Sequence, residues 1–452
     1  MTNPYATSIV QPPTTALESA PPSSPRKVAA WAMWDWGTQP FNTVITTFVF
    51  SVYLTSQAFG DTNYTSTALA ISTALAGLLV AVLAPVLGQN ADRSGTTVRN
   101  LRVQTWVLAA LSASLFFVKP EPGFLVLGLV LLGVGSIISE IAGVNYNATI
   151  EQVASPSNVG KVSGFGWGMG YLGGIIVLLV IFFAFIQPDV GLFGVTGEDG
   201  LDIRVSMLVC GLWTLLFTIP TFAILRDRAP NGRPRVGFLA SYRELFGTIR
   251  TLWNTSRQTA WFLLASALFR DGLAGVFAFG AVIAAGTFGF SAGDVIIFGA
   301  VANIVAGVST MLFGLLDDKL GPRTVILFAL AGLSITGVAI FMLYDRGATV
   351  FWICGLIMSA LVGPAQSASR SFLARLIPEG KSGEIFGLYA TTGRVVSFLS
   401  PAFFGLAIGI GAAVTGRENT QYWGILGIVV ILLAGFVAML FVKEHHQHST
   451  MA

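Results

Sequence analysis

Charge is what this sequence lacks. Charged residues make up 10% of its 452 positions and hydrophobic ones 54%. A soluble domain carries about 25% charged residues, so this chain cannot cover an ordinary water-facing surface. It has only 2 cysteines, Cys210 and Cys354. Both lie in apolar runs, which excludes a disulfide framework, and neither shows metal-ligand spacing. No complete G-x-x-x-x-G-K-[ST] phosphate loop is present, which argues against ATP-driven pumping. No catalytic constellation points to an enzyme, a cofactor or a metal, and no nucleic-acid partner is expected. No apolar segment precedes Arg26 and Lys27, so no cleaved signal peptide is expected. The Pro-, Ser- and Thr-rich residues 1–28 read as a disordered cytoplasmic tail.

Long apolar runs are abundant. A helix needs about 20 mostly apolar residues to cross ~30 Å of hydrocarbon. Twelve runs qualify: 30–57, 66–89, 102–118, 123–146, 163–186, 204–225, 258–285, 293–316, 323–344, 349–372, 384–411 and 422–442. The third is the shortest, and Lys119, Pro120, Glu121 and Pro122 after it read as a hairpin turn. With both termini cytoplasmic, the loops on that side hold nineteen of the 25 Lys and Arg residues, the bias that orients membrane helices. The expected fold is therefore an all-α membrane protein with twelve transmembrane helices. Residues 29–225 and 258–442 form two six-helix bundles, 226–257 a cytoplasmic linker and 443–452 a cytoplasmic tail. Within the linker, Phe238, Leu239, Tyr242, Leu245, Phe246, Ile249, Leu252 and Trp253 share one helical face, with Arg243, Glu244 and Arg250 elsewhere. That pattern predicts a helix lying in the membrane interface.

The halves repeat. Gly88, Asp92, Arg93 and Gly95 follow the second run, and Gly314, Asp318, Lys319 and Gly321 follow the eighth. Both loops read G-x-x-x-D-[RK]-x-G, and their first glycines stand 226 positions apart, half the chain. A second echo links Gly160, Lys161 and Gly164 with Gly380, Lys381 and Gly383. Repeats on this scale in a membrane chain point to a transporter built from two related bundles. Asp92 and Asp318 are expected to accept bonds at the N-terminus of the following helix. The basic residue beside each is expected to pair with a carboxylate of a moving neighbour.

The repeated loop resembles the signature loop of the major facilitator superfamily, G-x-L-A-D-R-x-G-x-x-x-R. Gly88, Ala91, Asp92, Arg93, Gly95 and Arg99 match it, with Asn90 in place of the leucine. More specific stretches are similar to the autophagy-related vacuolar amino-acid effluxer family and its bacterial relatives. They include Trp31, Trp34, Asp35, Trp36 and Phe41 in the first run and the glycine-rich stretch Gly164 to Gly174 in the fifth. Phe269, Arg270, Asp271 and Gly272 in the seventh run and Gln366, Arg370, Arg375 and Pro378 at the tenth complete the set. Gln39 and Pro40 stand where the family usually has Asn-Ser or a similar pair. The resemblance covers residues 29 to 442. It implies the major facilitator fold and a transporter role, with amino acids as the family's best-known cargo. The location would be the plasma membrane in a bacterium or the vacuolar membrane in a fungus.

Ionisable residues inside a bilayer cost ~2.5–3.5 kcal/mol each at a helix centre and are functional candidates by default. Asp35, Gln39, Asn42 and Thr46 form a polar stripe expected to face a central cavity, although Asp35 alone would also suit helix-dipole neutralisation. Glu140 lies among Ile137, Ile138 and Ile141, which suits a proton carrier or a structural pair with a neighbouring helix. Arg270 and Asp271 lie ~18 Å into their helix at 1.5 Å per residue. Arg270 offers a fork to a carboxylate ligand, while Asp271 would hold a ligand amine or pair with Arg394. A structural network is the alternative for both. Gln366, Ser359 and Arg370 share a face of the tenth run, and Arg370 and Arg375 are expected to close the cytoplasmic gate. The reading that follows is a secondary transporter of an amino acid or similar zwitterion. It would work as a monomer in the lipid bilayer by alternating access, and Glu140, Asp35 and Asp271 raise proton coupling as an option. The rivals are an exporter of drugs or lipids, with an apolar cavity in place of a charged midplane, and a non-transporting sensor on the same fold.

Overall fold

A computed structural model describes residue 17 and residues 24–230, 237–255, 257–290, 292–377, 381–416 and 420–443. The rest of the two expected tails lies outside the described residues. What is described is helical, apart from one isolated antiparallel bridge between Val190 and Thr196. The α-helices are α1 (Pro25–Pro40), α2 (Phe50–Leu54), α3 (Thr62–Ser94), α4 (Thr97–Ser114), α5 (Leu125–Ala148), α6 (Val159–Ile181), α7 (Leu201–Ile224) and α8 (Phe238–Thr255). They continue with α9 (Arg257–Phe288), α10 (Ala292–Leu320), α11 (Pro322–Met342), α12 (Ala348–Leu376), α13 (Ser382–Val396), α14 (Leu399–Thr415) and α15 (Gly424–Leu440).

Ten described helical segments are long and apolar enough to cross a membrane: α3, α5, α6, α7, α9, α10, α11, α12, the α13–α14 pair and α15. The other two expected spans are helical but less regular. The first run begins earlier than the sequence suggested, because Pro25 opens α1 and Ser24 caps it by accepting from the Lys27 N–H at 3.3 Å. It then breaks. Pro40 has no N–H to give the Trp36 carbonyl, which instead accepts from the Trp213 indole at 3.3 Å. A π-helical stretch, Phe41–Phe48, follows before α2. The third run is α4, 18 residues that include Arg99 and Arg102, and it ends in a 3-10 turn before the proline hairpin.

Within the first half of the chain, α1 lies against α6 and α7, α4 against α5 and α7, and α3 against α5. In the second half, α9 and α11 both pack on α15, and α12 packs on α10 and α11. The halves meet where α6 crosses α10 and α3 crosses α13. Glycine makes these crossings close. Helix α6 has two glycine rows. A Cβ on Gly164 would lie 2.6 Å from the Thr310 carbonyl, and one on Gly168 would lie 2.8 Å from the Gly307 carbonyl, both on α10. Gly166, Gly170 and Gly174 instead face Asp35, Gln39 and Thr43 of the first run. Small residues at such rows let backbones approach in a lipid environment.

The linker helix α8 lies across α3 and α9. Ser241 and Leu245 are buried, whereas Phe238, Leu239, Phe246, Ile249 and Trp253 are exposed.

Glycine packing gives a direct test. A Cβ on Gly435 of α15 would lie 2.9 Å from Phe269 Cα, while one on Gly405 of α14 meets nothing within 4 Å. Overpacking costs ~1–3 kcal/mol. Gly435→Ala should therefore lower the thermal midpoint of the purified protein, and Gly405→Ala should leave it in place.

Candidate functional site

The repeated loops do more than turn the chain. Their last glycines, Gly95 and Gly321, have φ of 65° and 82°, a left-handed backbone that a Cβ disfavours. Their first glycines sit at the crossings, with Gly88 against the Gly383 carbonyl and Gly314 against the Gly160 carbonyl. Between them, each aspartate reaches across to the other half. Asp92 accepts from the Gly383 and Glu384 N–H groups, both at 2.9 Å. Asp318 accepts from the Gly160 and Lys161 N–H groups, both at 2.8 Å. These are the unsatisfied first donors of α13 and α6.

This corrects the expectation that each aspartate serves the helix that follows it. Helix α4 is capped instead by Asp227, whose Oδ1 accepts from Val98 N at 2.8 Å and Arg99 N at 3.1 Å. Helix α11 begins with Pro322, which has no N–H to satisfy. The basic neighbours divide. Arg93 pairs with Glu244 on α8, whereas Lys319 is exposed without an ion pair among the described residues.

Arg370 and Arg375 complete this end of the bundle. Arg375 forks to Asp317 and Asp318 at 3.0 Å each, and Asp317 also accepts from Ser371. Arg370, on α12, is buried and reaches into the first half. It donates to Ser163 Oγ at 2.9 Å, the Ser163 carbonyl at 2.6 Å and Asn147 Oδ1 at 3.3 Å. Its guanidinium lies 3.5 Å from Asp35 Oδ2, which also accepts from Tyr146 Oη at 2.9 Å. Tyr146 stacks between Trp31 and Trp34, with ring centroids 4.4 and 4.1 Å apart. The tryptophans of the first run thus build the wall that fixes Asp35. Glu151, which pairs with Arg228 and accepts from Ser382 Oγ at 2.6 Å, adds another tie between halves. No sequence pattern pointed to Tyr146 or Glu151; Ser163 and Asp317 stood within repeated stretches but at their unspecified positions.

Deeper in, Glu140 of α5 pairs with Arg394 of α13, again across the halves. The Glu140 side chain is 43% exposed and that of Arg394 34%, so Glu140 is not buried among isoleucines as its neighbours in sequence suggested. Asn147 follows Glu140 by two helical turns on the same face, which places this face toward the opposite half. Arg270 of α9 lies with its guanidinium 3.8 Å from the Tyr389 ring centroid and donates to the Tyr389 carbonyl at 2.9 Å. It has no carboxylate partner among the described residues. Asp271 points elsewhere: it accepts from Ser400 N at 2.7 Å, while Ser400 Oγ donates to the Asp271 carbonyl at 2.7 Å. It therefore caps α14 and does not pair with Arg394. The two side chains diverge because neighbours on a helix point ~100° apart.

The polar stripe of the first run also shifts. Asp35 and Gln39 face α6, but Thr43 continues that row where Asn42 and Thr46 were expected. Asn42 is exposed. The π stretch changes the residue spacing from i+4 to i+5 and so rotates the face. Two turns beyond Arg270 on α9, Phe277 helps line a cavity of about 350 Å³. Its walls come from Phe48 of the first run and from α9, α10, α11, α12 and α15, and are mostly apolar, with Thr47, Asn303 and Ser359 as polar points. Gln366, two turns from Ser359 toward Arg370, is partly buried. None of Arg270, Glu140 and Arg394 lines this cavity.

The chain is similar to known proteins. The family model described as vacuole effluxer Atg22 like matches residues 52–451. A Bacillus subtilis protein, described as an uncharacterized MFS-type transporter, YxiO, is 25% identical over 92% of this chain and 94% of its own length. Autophagy-related protein 22-1 of Neosartorya fischeri is 27% identical over 54% of this chain. That match spans 43% of the fungal protein, so the chain corresponds to less than half of this relative. Among solved structures, the proton:xylose symporter XylE of the major facilitator superfamily superposes with a TM-score of 0.70 at 14% identity, covering 93% of this chain and 95% of that one. At that identity the likeness is one of fold.

The caps are testable. Asp318→Asn keeps the side-chain shape but removes the charge that favours two N-terminal donors, worth ~1 kcal/mol. Maleimide labelling of Ser367→Cys, a buried position facing Ser163, should speed up about fivefold in that variant. Cys210→Ala and Cys354→Ala supply the cysteine-free background. An unchanged rate would show that the cap does not hold this end closed.

Proposed function

This chain belongs to the vacuole effluxer Atg22-like family of major facilitator transporters, and from that premise we propose that it moves an amino acid or similar small zwitterion by alternating access. It is a multi-pass membrane protein, placed in the plasma membrane of a bacterial host or the vacuolar membrane of a fungal one. We count the first run and α4 as spans as well, giving twelve helices in two bundles with both termini cytoplasmic. The end that carries the repeated loops is then the cytoplasmic one, and the halves, tied together there, face outward.

The observation that carries the cargo reading is Arg270, a cation at mid-depth whose only acceptor among the described residues is a carbonyl. Its remaining N–H donors suit a ligand carboxylate. The partly exposed Glu140, on loan to Arg394 in this state, suits the ligand amine. Gln39, Asn42 and Gln366 belong to the same polar path, with Asp35 at its gated end. Asp271, spent on capping α14, acts through positioning that helix. A second reading is kept by the apolar cavity of about 350 Å³, which suits an apolar drug-like or lipid-like cargo.

Uptake of labelled amino acids into proteoliposomes decides between them. Saturable flux should appear, and Arg270→Ala should raise KM tenfold or more, since hydrogen bonds to charged groups are worth ~1.5–3 kcal/mol. Flux of apolar dyes but not of amino acids would favour the second reading. For coupling, an imposed pH gradient should accelerate flux in the parent protein and have no effect in Glu140→Gln. Parent flux indifferent to the gradient would rule coupling out.

A further inference from the structure

Helix α8 straps the two halves together at the end that carries the repeated loops. Near its start, Tyr242 Oη donates to the Val82 carbonyl at 2.7 Å and Glu244 pairs with Arg93, both on α3. Burial pushes the Tyr242 phenol above its ordinary pKa, so the hydroxyl remains a donor. Near its end, Trp253 lies 5.8 Å from Trp261 of α9.

The attachment point on α3 is a weak spot in that helix. Pro85 has no N–H, so the Ala81 carbonyl loses its intrahelical partner. Thr391 of α13 fills the gap, donating to Ala81 O at 2.9 Å, and Gly387 packs on the Pro85 backbone. This proline site is therefore gripped by α13 on one side and by α8, one residue along, on the other. Helix α13 also packs on α9. Drawing α13 and α9 away from α3, as opening of this end requires, stretches the strap between its two attachments.

Among the described residues, most of the outer face of α8 is uncovered. Phe238, Leu239, Phe246, Ile249 and Trp253 are exposed and fall within an arc of about 100° on a helical projection. Arg243 and Arg250 border that arc on one side. Like Arg257, they are exposed and make no ion pair among the described residues. An apolar wedge edged by unpaired arginines matches the boundary between lipid chains and phosphate headgroups. We propose that α8 docks on anionic phospholipid headgroups, and that this docking, through Tyr242 and Glu244, holds the gate at this end shut. The inference rests on the alternating-access reading above but not on the cargo.

The full chain carrying spin labels at Ser157→Cys and Leu320→Cys, in the Cys210→Ala, Cys354→Ala background, reports the gate. The two labels lie on opposite halves beside the α6–α10 crossing. Distance distributions are compared in phosphatidylcholine vesicles and in vesicles with about 30% phosphatidylglycerol. Phosphatidylglycerol should raise the ratio of short to long distances about fivefold. Arg243→Gln with Arg250→Gln should abolish the lipid response while keeping both distances. Tyr242→Phe should weaken the response with the arginines intact. Identical distributions in the two lipids, or an undiminished response in the double arginine variant, would overturn the proposal. Flux measured on the same vesicles keeps the two readings apart: transport with a lipid-indifferent gate removes this inference alone.

Discussion

Two carboxylates hold this molecule in the form described. The first N–H groups of any helix lack partners within it, and in an apolar bundle they cannot turn to water. Asp92 supplies the acceptor for α13 and Asp318 the acceptor for α6, each from the opposite half of the chain. In the proposed mechanism, satisfying a helix end and closing the gate are therefore the same event. The glycines follow from this. A cap of this kind needs the helices within hydrogen-bond reach, and Gly88, Gly160, Gly314 and Gly383 are where a Cβ would hold them apart. The turn glycines, Gly95 and Gly321, let the chain reverse directly after the aspartate.

Much of this was legible in the sequence, and the reasons for the remainder are specific. Hydropathy and the 226-residue repeat placed the helices because each run must satisfy its own backbone in lipid. The repeat also singled out Asp92 and Asp318, but a local motif names a residue and not its partner, which lies 291 positions away for Asp92 and Gly383. The stripe on the first run was projected at helical spacing through Thr46. Pro40 marked where that projection should have stopped, since it removes the hydrogen bond to Trp36. Asp271 and Arg394 stand at similar distances along their runs, yet distance along a helix does not give azimuth: one faces the break between α13 and α14, the other faces α5. Glu151, Asp227 and Tyr146 left no trace, because a single polar residue near the end of an apolar run has many ordinary explanations.

The cations on the inner faces of the bundle fall into two groups. Arg370 and Arg375 have carboxylates and further acceptors around them, which is what a structural closure needs. Arg270 has an aromatic face and one carbonyl. A cation–π contact is worth ~0.5–2 kcal/mol, less than a desolvated cation loses. Of Arg270, Arg394, Glu140 and Asp271, Glu140 is paired with Arg394 and Asp271 is held by Ser400, so Arg270 is the cation left without a carboxylate among the described residues. An anionic group arriving there is favoured before any detail of its shape is considered, and this distinguishes the proposed site from the gate beside it.

A gate of this construction can also be opened. Each cap contributes ~0.5–2 kcal/mol, and its donors and acceptors can be exchanged for water once the end parts. Glycine rows bury little side-chain surface, so separating them forfeits little of the ~25 cal/mol per Å² that apolar burial supplies. The expensive contact is Arg370 with Asp35, since separating a buried pair without replacement strands two charges. Tyr146 stays with Asp35, as both belong to the first half, but Arg370 departs with the second. Only water can complete the shells of both. The pair therefore separates only as water enters from that end, and it re-forms only as water leaves. Opening and hydration of the polar path become a single step, which is the behaviour that a transporter exposing its site to one side at a time requires.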